Sequence, residues 1–278
     1  MAVILDSKKL YESFENEIKE KLSALPKLCL ASVVIGQDYS AKTYQNSQKQ
    51  TADKLGVNYL SVELSSGISF AEFKDKIKKL NQDKNITGII LNKPFPSKWK
   101  DTDVFSLLDE NKDIEGMHPA NLGKFLIGEP RYISPTVNSI IILLDNCGIK
   151  PYGKKATVVG CSLLIGRPLS LWLASEFSTV TMTHIATEVE DLKSYLKNSD
   201  IVVSAVGEPG LIKGEWIKQG AVVIDVGTGE KGGKIAGDVE FEKAKQRASY
   251  ITPVPGGVGK LTTILLYRNL LKAAGVKF

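Results

Sequence analysis

Apolar residues recur at helical spacing over residues 7–25, at Leu10, Phe14, Ile18 and Leu22, with Ser7 placed to cap the helix and Pro26 at its end. An apolar run over 28–35 reads as a buried strand. A helical pattern over 40–55 stops at Gly56, and 58–64 reads as a strand. Ser69 is placed to cap a helix over 70–81. Residues 86–91 form another strand, which runs into Asn92-Lys93-Pro94-Phe95-Pro96. An apolar helix over 140–147 carries the chain into a second half, where strands are expected at 156–159, 180–183, 201–205 and 221–226, with helices between them. The last helix spans 262–274. Strands alternating with helices in both halves imply an α/β protein with parallel sheets.

Two glycine-rich stretches interrupt the pattern. Residues 253–259, Pro-Val-Pro-Gly-Gly-Val-Gly, spell neither helix nor central strand. Proline fixes φ and removes a donor, and glycine permits close backbone approach, so main chain could meet a flat ligand here. A plain turn before the last helix is the alternative. Upstream, the strand at 156–159 ends in Gly160, Gly166 follows, and Pro168 stands at a plausible first helical position. Strand, glycine turn and helix together aim backbone N–H groups at an anion such as a pyrophosphate. The spacing departs from G-x-G-x-x-G, so the surrounding strand–helix pattern carries the argument. Ligands bind such sheets at the carboxyl ends of the strands, here Gly160, His184, Val206-Gly207 and Asp225-Val226-Gly227.

Composition narrows the classes. The chain has 278 residues, enough for one large or two medium domains. Its net charge of +5 is scattered, with no basic stripe interleaved with aromatics, so nucleic acid is not an expected partner. Three separated cysteines and two histidines give no metal spacing and suit a reducing cytoplasm. The opening residues lack the basic head and apolar core of a signal peptide, and no apolar run is long enough for a membrane span.

Ordered along the chain, these motifs resemble the FolD family, the methylenetetrahydrofolate dehydrogenase/cyclohydrolases. The resemblance rests on Tyr44 between Gly36 and Gly56, Pro94-Phe-Pro96, Lys112-Asp-Ile-Glu-Gly116 followed by Asn121 and Gly123, Gly160-x-Ser-x-x-Ile-Gly-Arg-Pro168, Asp225-Val-Gly, Gly237-Asp-Val and the 253–259 turn. It implies two α/β domains flanking a cleft, the second with a Rossmann-like parallel sheet for NAD(P). Residues 1–137 plus the C-terminal helix 262–278 would bind folate, and 138–261 the cofactor. It also implies a homodimer and tetrahydrofolate derivatives as substrates. Folate would lie near Tyr44, Pro94, Asp113, Pro255, Gly256 and Gly257, with Tyr44 stacking on it and Asp113 bonding the pterin's amino edge. The cofactor would contact Gly160, Cys161, Ser162, Ile165, Gly166, Arg167, Pro168, His184, Ile185, Gly207, Gly227 and Thr228. NADP is the family habit. Ile185, at the end of the second strand, offers neither an acid for a ribose hydroxyl nor a base for a 2′-phosphate, so NAD stays open.

The chain departs from the family where the second reaction would occur. Hydride transfer from the methylene carbon is chiefly a positioning task. Hydrolysis of the methenyl product needs proton transfer. The family's lysine, four residues after the tyrosine, is Gln48 here, and Lys49 lies about 100° round the helix. The family's glutamine is Asn92, its leucine Lys93, and the second aspartate of its Lys-Asp-Val-Asp-Gly is Glu115. Three readings follow: a dehydrogenase that has lost the cyclohydrolase, a site rebuilt around Lys93 with Asn92 and Glu115 in support, or drift at a site that still works slowly. A different methylene-pterin as substrate, and a non-catalytic folate- or cofactor-binding protein, are the rivals.

Overall fold

The runs of valine, isoleucine and threonine become strands, and the amphipathic runs become the helices that join them. The computed structural model describes residues 1–278. In chain order its elements are β1 (Val3–Ile4), α1 (Lys8–Leu22), β2 (Cys29–Ile35), α2 (Tyr39–Leu55), β3 (Asn58–Leu64), α3 (Phe70–Gln82), β4 (Gly88–Leu91), α4 (Asp101–Phe105), α5 (Pro119–Leu126) and α6 (Pro135–Asn146). There follow β5 (Lys155–Val159), α7 (Gly166–Ser175), β6 (Thr179–Thr183), α8 (Val189–Asn198), β7 (Ile201–Ser204), a 3-10 turn (Gly214–Trp216), β8 (Val222–Asp225), β9 (Gly229–Lys231), β10 (Lys234–Ala236), α9 (Phe241–Ala244), β11 (Tyr250–Ile251) and α10 (Val258–Ala273).

The chain forms two compact units, Met1–Tyr11 with Thr136–Thr262, and Glu12–Pro135 with Thr263–Phe278. The first holds a six-stranded parallel sheet in the order β1-β11-β8-β7-β5-β6. Its central strands β7 and β8 are buried throughout, as parallel strands covered on both faces must be. Val202, Val223, Leu196, Ile212, Ile217 and Ile251 join one apolar cluster there. The second unit holds a three-stranded parallel sheet, β3-β2-β4, in which Ser32 stands opposite both Ser61 and Ile90. Local signals set its helices. Asp38 caps α2 through the Ala41 N–H at 2.8 Å, Gly56 ends α2 at φ 71°, and Ser69 with Glu72 forms a capping box on α3. Lys112 closes the other end of α3 by donating to the carbonyls of Asn81 and Asp83.

Several elements differ from the sequence reading. Residues 1–11 pack in the unit of the larger sheet, because β1 pairs with β11 at the sheet's edge. Both strands are two residues long, too short to show a period. Ser7 does not cap α1. Its buried hydroxyl donates to the Gly256 carbonyl at 2.8 Å, and Asp6 accepts the Lys8 N–H instead. Pro168 is the third residue of α7, not the first. The final helix begins at Val258, inside the glycine turn.

Candidate functional site

α2, β2 and β4 bring a closed ring of neutral polar groups into the interior of the second unit. The Ser32 hydroxyl donates to Gln48 Oε1 at 2.8 Å, Gln48 Nε2 donates to Asn92 Oδ1 at 3.1 Å, and Asn92 Nδ2 returns to Ser32 Oγ at 2.8 Å. All three side chains are buried. Tyr59, on β3, adds a hydroxyl to Gln48 Oε1 at 2.8 Å, and Tyr267, on α10, donates to the Gln48 carbonyl at 2.6 Å. Asn92 Nδ2 also reaches the Val33 carbonyl at 2.9 Å. Two hydroxyls on one amide oxygen fix which way Gln48 faces. A ring in which each member both gives and receives strengthens each bond. No member of this ring exchanges protons near neutral pH.

Tyr44 sits one helical turn before Gln48 and is half-buried. Burial, and then the nearby Glu115 carboxyl, pushes its phenol far up, so it stays protonated. The segment 112–116 runs beside β4, where Ile89 N–H donates to the Lys112 carbonyl at 2.7 Å. Asp113 is buried within it. One oxygen holds the following turn, accepting from His118 N–H at 2.7 Å and Asn121 Nδ2 at 2.8 Å, while Oδ1 has no partner. Burial pushes its carboxyl up. Glu115 is also buried, and burial followed by the charge of Asp113 raises it to about 8. Thus Tyr44, Gln48, Asn92, Asp113 and Glu115 all fall in this unit.

Lys93 does not join the ring. Successive side chains along an extended segment point oppositely, so buried Asn92 is followed by exposed Lys93, which pairs with Asp101 at 2.5 Å. Lys49 is exposed as well. Pro94 follows Lys93 through a cis peptide and is exposed.

In the other unit, the predicted cofactor residues gather at the carboxyl ends of β5, β6, β7 and β8. Gly160 bends the chain after β5 at φ 111°, and a Cβ on Gly166 would lie 2.0 Å from the Gly160 carbonyl oxygen, so only glycine lets this loop close on α7. The N-terminus of α7 has no acidic residue in its first turn and no side-chain cap on its N-cap Ile165. Ser162 Oγ accepts from Ile165 N–H at 3.2 Å, and Arg167 Nε donates to the Cys161 carbonyl at 3.0 Å, which holds a guanidinium over the loop. Those features fit an anionic pyrophosphate. His184 and Ile185 are exposed beyond β6, Ile185 completely. Gly207 at φ 80° and Thr228 are exposed, whereas Gly227 is buried against Asp238. Pro255 is exposed, and Gly256 and Gly257 form a turn held by Ser7 and by Gly257 N–H on the Pro253 carbonyl at 2.9 Å.

The sequence reading missed Ser32, Tyr59 and Asn121 as site residues, gave Asp238 no role, and placed Asp225 only at a ligand-receiving strand end. A serine inside an apolar strand, as Ser32 is, was the available signal. A buried hydroxyl needs a partner, and that need points to a polar neighbour across the sheet.

Two family models match the chain. The tetrahydrofolate dehydrogenase/cyclohydrolase catalytic domain matches residues 5–115, and the NAD(P)-binding domain of the same enzymes matches 134–278. A curated relative, the bifunctional protein FolD of Staphylococcus saprophyticus, is 39% identical over 280 residues, covering 98% of this chain and 97% of its own. Among solved structures, the Trypanosoma brucei N5,N10-methylenetetrahydrofolate dehydrogenase-cyclohydrolase, complexed with NADP cofactor and an inhibitor, superposes with a TM-score of 0.93 at 33% identity over 98% of this chain and 97% of that one. A 5,10-methylenetetrahydrofolate dehydrogenase from the silkworm Bombyx mori gives 0.91 at 31% identity, over 99% and 98%.

Proposed function

The chain belongs to the tetrahydrofolate dehydrogenase/cyclohydrolase family, and from that premise we propose that it is an NADP-dependent 5,10-methylenetetrahydrofolate dehydrogenase of one-carbon metabolism that has lost hydrolysis of the methenyl product. Bound NADP+ supplies the hydride acceptor. The methylene carbon lies between two nitrogens whose lone pairs stabilise the cation left behind, so hydride departure asks little of acid–base groups. It asks for two flat rings in contact. Tyr44 offers an aromatic face to the folate, and its raised phenol keeps that face neutral. The half-buried loop after β5 and the start of α7 would hold the pyrophosphate, with Arg167 adding charge, and Gly207 and Thr228 would border the cofactor.

The observation that carries the loss of hydrolysis is the ring at Gln48. The side chain facing Tyr44 is an amide held by Ser32, Tyr59 and Asn92. An amide orients water but does not take or return a proton. Lys93 is engaged with Asp101 and does not replace the missing ammonium. A second reading is favoured by Glu115, whose buried carboxyl, raised to about 8, stands beside Tyr44. In that reading Glu115 carries the proton transfer, and hydrolysis survives.

Three free cysteines support a cytoplasmic protein, and relatedness to the family supports a homodimer. The test of the dehydrogenase is cofactor reduction by the purified protein with methylenetetrahydrofolate, run with NADP+ and with NAD+. No reduction with either would overturn the proposal. Reduction with NAD+ alone would reverse the cofactor assignment.

A further inference from the structure

Asp225 and Asp238 are both buried, both charged in type, and neither takes part in the chemistry above. Their hydrogen bonds run almost wholly to backbone. Asp238 Oδ2 accepts from the Ser204 hydroxyl at 2.7 Å and from Val206 N–H at 2.8 Å, and Oδ1 accepts from Glu208 N–H at 2.8 Å. Asp225 Oδ1 accepts from Gly227 N–H at 3.0 Å and from Asp238 N–H at 3.1 Å, and Oδ2 accepts from Val239 N–H at 2.9 Å. Asp225 at the end of β8 therefore holds the segment after β10 that carries Asp238, and Asp238 holds the loop that leaves β7.

The glycines around the pair exist to make room for it. A Cβ on Gly227 would lie 2.0 Å from the Asp238 carboxyl, and one on Gly237 would lie 2.2 Å from Asp225 Oδ2. Gly229 is closed in the same way, with a Cβ 2.5 Å from Pro209. Asp225-Val-Gly and Gly237-Asp-Val, with nine residues between them in sequence, are thus two halves of one interlock. Val206 and Glu208 turn their backbone N–H groups to the carboxylate while their side chains stay exposed, and Gly207 between them is exposed at φ 80°. This loop stands at the carboxyl end of a central parallel strand, where such sheets receive ligands.

We propose that Asp238 is a positioning residue for the cofactor, fixing the 205–209 loop in the shape that borders it, and that Asp225 positions Asp238. This rests on the NADP-dependent reading above. A carboxylate suits the task because it offers only acceptors, and its bonds to backbone N–H groups are charge-assisted. Asp238→Asn keeps the volume but places an amide NH2 against a backbone or hydroxyl donor, whichever way it turns.

The experiment compares the full-length wild-type protein with Asp238→Asn and Ser204→Ala, well below their melting temperatures. Asp238→Asn is expected to raise KM for NADP+ by about tenfold or more and to leave KM for methylenetetrahydrofolate within about twofold. Amide hydrogen exchange at Val206 and Glu208 is expected to speed up in the same variant. Ser204→Ala, which removes one hydroxyl and no backbone donor, should change the NADP+ constant by less than about threefold. Wild-type constants in a folded Asp238→Asn would overturn the proposal, and so would an equal rise in both KM values. Should Asp238→Asn fail to fold, Gly207→Ala disturbs the same loop without touching the carboxylate. It should show the same cofactor-selective defect, and its absence there would likewise overturn the proposal. NADPH fluorescence titration separates the two claims. A wild type that binds NADPH but oxidises no methylene-pterin defeats the proposed reaction and leaves the loop claim to the affinities of the variants. A wild type that binds no NADPH defeats both.

Discussion

The buried polar groups of the two units work in opposite ways. Around Gln48, side chains bond to side chains: an amide, a second amide and two hydroxyls close on one another. Around Asp225 and Asp238, side chains bond to peptide N–H groups on three different loops. The first arrangement tolerates changes of residue type, provided donors and acceptors change together. The second does not, because the peptide donors are the same whatever the sequence. The resemblance drawn from the sequence puts its departures, Gln48 and Asn92, in the first arrangement and its matches, Asp225-Val-Gly and Gly237-Asp-Val, in the second.

The sharpest way to break the comparison is Gly227→Ala. Its methyl would meet the Asp238 carboxyl head-on, so the variant should lose about 3 kcal/mol in denaturant titration. A loss below about 1 kcal/mol would mean the interlock is loose. Next, Gln48→Met should cost about 2 kcal/mol, because it strands the Ser32 and Tyr59 hydroxyls and one Asn92 acceptor. Adding Ser32→Ala and Tyr59→Phe should recover part of that cost, as expected when partners are removed together. Glu115 gives a pH signature. The folded carboxyl is raised from 4.5 to about 8, so across that interval the unfolded chain releases a proton that the folded chain keeps. Its contribution to stability is complete below pH 4.5, falls as pH rises, and is gone above about 8. Glu115→Gln should flatten the stability–pH curve over that window, and an unchanged slope would show that Glu115 titrates normally. The smallest effect is Lys93→Met, which removes an exposed ion pair with Asp101 and should change stability by less than about 0.5 kcal/mol.

Much of this was legible from periodicity. The strand at 58–64, the helix stop at Gly56 and the Ser69 cap stand where the pattern puts them, because each has a local cause. β1 and β11 were not legible, since two residues carry no period and their pairing spans the whole chain. The hairpin of β9 and β10 was hidden by its charged, glycine-broken sequence, Gly-Glu-Lys and Lys-Ile-Ala. Within the site, Tyr44, Gln48 and Asn92 were legible through the resemblance. Tyr59 was not, because it reaches Gln48 only through the parallel pairing of β3 with β2. The role of Lys93 turned on one alternation of side-chain direction, which a turn sequence leaves undetermined.

The measurement that tests the account most directly follows added methenyltetrahydrofolate in the presence and absence of the purified protein, at constant buffer and pH. The ring at Gln48 predicts decay at the buffer rate, together with methenyl accumulation when the protein oxidises methylenetetrahydrofolate with NADP+. Accelerated decay, lost in Glu115→Gln and kept in Lys93→Met, would contradict the account and give the hydrolysis to Glu115.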